Sequence, residues 1–202
     1  MKNDNLSTAK KLAYFAILTA LTVVLQLWAS NIAIGPASLN FSLIPLVLCG
    51  MILGVWYATA LGAVVGVLVL IPIITGQSQF FTPLFEITPV MIILICLIKT
   101  AAAGLLGGLL YKVIRGKNKY VATFVSALTV PTVNTLIFII GMFIINGPLT
   151  QLHPLDQGQT LFGFIVVGLV SFNYFIELGL NLLLAPAIFR VIKAVDKQIG
   201  AE

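Results

Sequence analysis

Five polar residues stand where the sequence otherwise offers only apolar ones. Lys99 lies in IILICLIKTAAAG (residues 92–104), a run with no other charge, and residues 88–98 ahead of it carry none either. Asn134 follows Pro131 in VPTVNT, and Asn173, Glu177 and Asn181 repeat every four residues. That repeat puts amide, carboxylate and amide on one helical face. Such a stripe cannot face hydrocarbon, because each group would lose its hydrogen bonds. An ammonium suits a carboxylate, while a carboxylate with amides suits hydroxyl and amide N–H groups. Two readings stand side by side. In one, Lys99 and Glu177 form an internal ion pair that only holds helices together. In the other, the layer lines a cavity and grips a polar ligand, the default meaning of ionisable groups inside a membrane.

The elements that must carry these residues follow from composition. The chain has 202 residues, 60% hydrophobic and 8% charged, against about 45–50% and 25% for soluble domains. This predicts an all-α integral membrane protein with a single transmembrane domain over residues 1–202. A helix needs roughly 20 apolar residues to cross a bilayer. Six segments approach that: 11–30, 39–54, 55–74, 88–112, 120–146 and 160–192. The second is short and contains Pro45, and its boundary with the third is tight. The N-terminal apolar run is long for a signal sequence and is read as the first span. Connections 31–38, 75–87 and 147–159 are rich in Gly, Pro, Gln and Ser, which is loop chemistry.

The basic residues orient the bundle. Lys2, Lys10 and Lys11 precede span 1; Lys112, Arg115, Lys117 and Lys119 lie between spans 4 and 5; Arg190, Lys193 and Lys197 end span 6. All except Lys99 share one side of a six-span arrangement, so both termini are expected in the cytoplasm. The formal charge of +5 is thus a topology signal and gives no nucleic-acid face. Lys99, Asn134 and Glu177 fall at similar depth, near the midplane. Pro131 frees a backbone carbonyl just before Asn134. Tyr174, beside Asn173, joins the candidate set, as does Phe81 in the long outer loop, whose Phe80–Phe81 pair suits a lid. Trp28 reads either as an interfacial anchor or as a pocket wall. His153 is expected to be solvated.

Small residues recur at four-residue spacing: Ala16/Ala20 with Ala13 one turn earlier, Gly50/Gly54, Ala58/Gly62/Gly66 and Gly104/Gly108. The glycines are expected to pack helices within the bundle. The small face of span 1, at the bundle edge, could equally meet another protein. Cys49 and Cys96 sit in apolar runs as small core residues. There is no phosphate loop, no HExxH, no GxSxG and no Cys/His cluster, hence no recognisable ATPase or hydrolase and no expected cofactor. Any accumulation must draw energy from a partner or an ion gradient.

The length, the six spans with both termini inside, and AILTA (Ala16 to Ala20) in span 1 resemble the substrate-binding S-component of energy-coupling factor (ECF) vitamin transporters. The stretch GPASLNFSLIPLVLCGMILG is similar to the loop and second helix of that family. The resemblance covers essentially the whole chain. It implies a high-affinity binder holding its vitamin in the outer half, between helices 4 to 6 and the loops after helices 1 and 3. It also implies docking through Ala13, Ala16 and Ala20 onto a transmembrane coupling subunit that works with two cytoplasmic ATPases. The binder then topples in the plasma membrane of a prokaryote to release its cargo. The general resemblance is to the pantothenate branch, and pantothenate, a hydroxylated amide with one carboxylate, suits Lys99, Glu177 and the amides. Folate or another vitamin is the nearest alternative substrate. An autonomous ion-coupled carrier titrating a Lys99–Glu177 pair, or a purely structural membrane subunit, remains open at this point.

Overall fold

A computed structural model describes residues 7–29, 33–34 and 37–198; Lys2 lies outside the described residues. Helix α1 (Thr8–Ala29) is followed by a two-residue antiparallel ladder, β1 (Ala33–Ile34) with β2 (Ala37–Ser38). Then come α2 (Leu43–Ile52), α3 (Val55–Ile74), α4 (Phe81–Ile87), α5 (Pro89–Ile114), α6 (Lys119–Ile144) and α7 (Asn146–Leu152). A π-helical segment, Gly163–Val170, runs directly into α8 (Ser171–Gln198). The connections after α3 and α6 therefore contain short helices, α4 and α7, where the sequence suggests only irregular chain.

Local chemistry sets several boundaries. Gly54, at φ 98°, makes the turn between α2 and α3, a backbone state that suits a residue without Cβ. The Asn118 side chain accepts hydrogen bonds from the N–H groups of Tyr120 and Val121 (2.9 and 3.1 Å) and so caps α6. Pro89 sits in the first turn of α5, where its missing N–H costs nothing.

Five helical stretches are long and apolar enough to cross a membrane. The sixth element, α2, has ten residues and spans about 15 Å at 1.5 Å per residue, half a bilayer core. Its shortness has a clear cause. The backbone N–H of Asn40 donates to Glu177 Oε1 at 2.8 Å, and Glu177 lies near the middle of the long terminal helix. The chain has therefore descended to mid-bundle before α2 begins. Non-helical backbone at such depth is tolerated where it lines a cavity inside the protein.

Two apolar cores flank a polar layer. One joins Leu18, Leu46, Leu61, Ala103, Val130 and Ile188 toward the end bearing the basic residues. The other joins Leu70, Leu84, Ile92, Met142, Leu149 and Ile165 toward α4 and α7. Between them lie the buried side chains of Thr100, Asn134, Asn173, Glu177 and Asn181. Helices α3 and α5 touch through their backbones. A Cβ on Gly62 would meet the Thr100 carbonyl oxygen at 2.3 Å, and one on Gly104 would meet that of Ala58 at 2.3 Å. Intramolecular packing thus accounts for these glycines, and the contact fixes how α5 is rotated around Lys99.

Candidate functional site

A cavity of about 870 Å³ lies on the α4/α7 side of the polar layer, within the range of small-molecule sites. Its deep end carries Asn40, Lys99, Asn134 and Glu177; its sides include Val69, Ile73, Ile92, Ile95, Met142 and Leu169; Gln77–Phe81 and His153 surround the opposite end, its mouth. Each helix contributes through its period. On α8, Asn173 and Glu177 are 8% and 5% exposed and line the cavity. Asn181, at 1% exposed, lies one turn further on and is not among the lining residues. Its Nδ2 donates to the Glu177 carbonyl at 2.8 Å.

Lys99 does not pair with Glu177. Among the described residues no carboxylate oxygen lies within 4.0 Å of its ammonium. Instead Lys99 Nζ stands 4.9 Å from the Phe138 ring centroid, a cation–π contact of about 0.5–2 kcal/mol. Glu177 is engaged elsewhere: Oε1 takes the Asn40 N–H, while the Asn40 side-chain oxygen accepts a short bond from Ser42 Oγ. The internal ion pair, one of the two readings offered by the sequence, is therefore not formed at ion-pair distance, and Lys99 and Glu177 sit in two separate arrangements.

Tyr174 lines the cavity, and its hydroxyl lies 3.2 Å from Thr132 Oγ1. Phe81 is buried and lines it too. Trp28 stands outside: it is 60% exposed, its ring packs against Phe41, and it is not a lining residue. The indole follows the outward face of α1, whose buried face is Leu18, Thr22, Gln26 and Ala29. Ala13, Ala16 and Ala20 are exposed on that same outward side, with Leu12, Ile17 and Val24 around them.

His153 is half-buried rather than freely solvated. Its ring stacks on Phe80, with centroids 4.1 Å apart and planes at 6°. The contacts continue inward from Phe80 to Phe81 (4.9 Å) and from Phe81 to Phe138 (5.9 Å), ending under Lys99. An aromatic column thus runs from mouth to floor.

Three buried polar atoms of the lining have no hydrogen-bond partner among the described residues: Gln26 Oε1, Asn134 Oδ1 and His153 Nε2. Buried polar atoms are normally satisfied, so each such exception asks for an explanation. These atoms belong to lining residues but are themselves closed off from the free space of the cavity. The arrangement can hold an anionic group at Lys99 and hydroxyl or N–H donors at Glu177, with apolar and aromatic walls between. Gln26, Asn40, Phe138 and His153 are among the lining residues that sequence reasoning missed. Asn40 falls in the GPASLNFSLIP stretch, whereas Gln26 and His153 carry little local signal.

Residues 10–189 match the family model described as ECF transporter, substrate-specific component. No curated protein and no solved structure matches the chain significantly.

Proposed function

The chain belongs to the substrate-specific components of ECF transporters, and from that premise we propose that it is the high-affinity vitamin-binding subunit of such a transporter, with pantothenate as its substrate. One observation carries the substrate: Lys99 presents its ammonium to the cavity with no protein carboxylate within 4.0 Å among the described residues. A ligand carboxylate completes that site, and charge-assisted bonds of this kind are roughly twice as strong as neutral ones. Glu177 then accepts from the hydroxyl and amide groups, with the Gln26 and Asn134 side chains lining the same space. Asn173, Tyr174 and Phe81 shape the same space, and Asn181 supports Glu177 from the turn below.

The protein works with partners in this reading. Ala13, Ala16 and Ala20 form the docking face for the transmembrane coupling subunit, and two cytoplasmic ATPases supply the energy. The basic residues set both termini in the cytoplasm of a prokaryotic cell, so the cavity opens outward through Gln77–Phe80 and His153. The self-contained carrier is disfavoured, because the Lys99–Glu177 pair it would titrate is not formed. Folate is the second reading, and a specific observation favours it: Phe80, Phe81 and Phe138 give more aromatic surface than a small hydroxylated amide needs. Tritiated pantothenate binding to the purified protein, with mass spectrometry of any co-purifying molecule, decides. Pantothenate bound below micromolar supports the reading; folate recovered in its place, with no pantothenate retained, overturns it.

A further inference from the structure

We propose that Phe138 is a positioning residue that sets the charge selectivity of the cavity, its ring holding the Lys99 ammonium for the ligand and away from Glu177. This rests on the reading that the cavity holds a transported anion. Lys99 and Phe138 both line the cavity, and neither is fully buried. Lys99 Nζ stands 4.9 Å from the Phe138 ring centroid. Glu177 lines the same space, yet its carboxylate lies more than 4.0 Å from that nitrogen. A lysine stem is long and flexible, so an ammonium without an ion pair needs a surface to rest on. A π face provides one and leaves N–H donors free on the other side.

The ring is itself fixed. Asn134, Phe138 and Met142 recur every four residues on α6 and line the cavity together. Phe81 meets Phe138 edge-on, at 5.9 Å and 76°, an arrangement that aromatic pairs prefer. Helices α5 and α6 are pinned on both sides of the contact. On one side, a Cβ on Gly141 would come within 2.6 Å of the Ile95 side chain. On the other, Ser126 Oγ donates to the Gly107 carbonyl at 3.0 Å. Backbone packing thus sets the approach of Lys99 to Phe138. The consequence is selectivity. An ammonium paired with Glu177 would leave the deep end nearly neutral. Held on the ring, it keeps its charge for a ligand carboxylate, while Glu177 keeps the Asn40 N–H.

Calorimetric titration with pantothenate, and with panthenol, its neutral alcohol counterpart, tests this. The proteins are wild type, Phe138→Leu, Phe138→Tyr, Lys99→Met and the double variant Phe138→Leu/Lys99→Met. Leucine keeps an apolar wall and removes the π face; tyrosine restores the face. We expect Phe138→Leu to weaken pantothenate about tenfold, the scale of a partly desolvated cation–π contact, and panthenol less than about twofold. Phe138→Tyr should recover most of the preference for the anion. Lys99→Met should lose that preference, and adding Phe138→Leu should not change it further. Equal losses for both ligands in Phe138→Leu, or a further loss of preference in the double variant, overturn the proposal, because a plain wall acts on both ligands and without Lys99. Failure of the wild type to bind either ligand removes the substrate reading alone. The contact is then read by NMR on protein carrying isotope-labelled lysine, with the Lys99 signal assigned by its absence in Lys99→Met. An ε-methylene signal moved upfield by the ring, which shifts back in Phe138→Leu and stays in Phe138→Tyr, supports the positioning role. A Lys99 signal indifferent to Phe138→Leu overturns it.

Discussion

Replacing Lys99 by Met separates the two roles that a lysine at this depth can have. If Lys99 were half of a buried ion pair, its loss would strand a carboxylate and cost about 3–5 kcal/mol of stability. No carboxylate oxygen lies within 4.0 Å of its ammonium among the described residues. The variant therefore breaks no close ion pair; the contact it loses is the one with Phe138, about 0.5–2 kcal/mol. It also sheds the cost of holding a cation in the bilayer interior, about 2.5–3.5 kcal/mol on insertion scales. The net change in stability should be a gain of roughly 0.5–3 kcal/mol, the difference of those ranges. Binding should move the other way. A hydrogen bond to a charged group contributes about 1.5–3 kcal/mol, so pantothenate affinity should fall about 10- to 150-fold. Calorimetric titration gives the affinity, and thermal unfolding in the same detergent gives the stability. A variant that unfolds many degrees lower while binding normally would refute the reasoning, because it would make Lys99 a structural residue.

Glu177→Gln keeps an oxygen for the Asn40 N–H, whereas Glu177→Leu strands that donor; thermal unfolding should show the Leu variant less stable by about 1–3 kcal/mol. Gly104→Val places a Cβ 2.3 Å from the Ala58 carbonyl oxygen, so α3 and α5 must part; we expect a stability loss of about 1–3 kcal/mol, read by thermal unfolding and by the yield of monodisperse protein. Ala16→Trp, on the exposed side of α1, should abolish uptake in cells while leaving pantothenate binding to the purified variant within about twofold of wild type, since the cavity lies behind the opposite face of the helix. Unchanged uptake in that variant would remove the docking role of the alanine face.

The placement of the terminal helix was legible from period alone. Asn173, Glu177 and Asn181 recur every four residues, and no lipid-facing arrangement could satisfy them, so their burial follows from the pattern. The glycines of α3 and α5 were legible for a similar reason, since a four-residue spacing of missing side chains marks a face where backbones meet. What was not legible depends on the main chain and on loops. Glu177 is held by a backbone N–H 137 positions earlier in the chain, and main-chain donors leave no mark in side-chain identity. Ten residues of α2 looked like a poor span because hydropathy counts apolar length and cannot show that a chain enters the bundle before coiling. His153 lies in a polar loop, and its burial comes from two loops meeting across the mouth. Trp28 follows the same rule in reverse: its apolar neighbours hide which face of α1 turns inward, and that face is set by Leu18, Thr22 and Gln26.

The short α2 has an electrical consequence. A helix carries roughly half a positive charge at its N-terminus, from aligned peptide dipoles. An ordinary spanning helix leaves that charge at the membrane surface, where water and salt screen it. Because α2 starts at the depth of Glu177, its positive end lies just behind Asn40, which lines the cavity floor. That end adds a partial positive charge near the ammonium of Lys99. An anion entering from the mouth meets an attractive potential, and a neutral molecule of the same shape meets none.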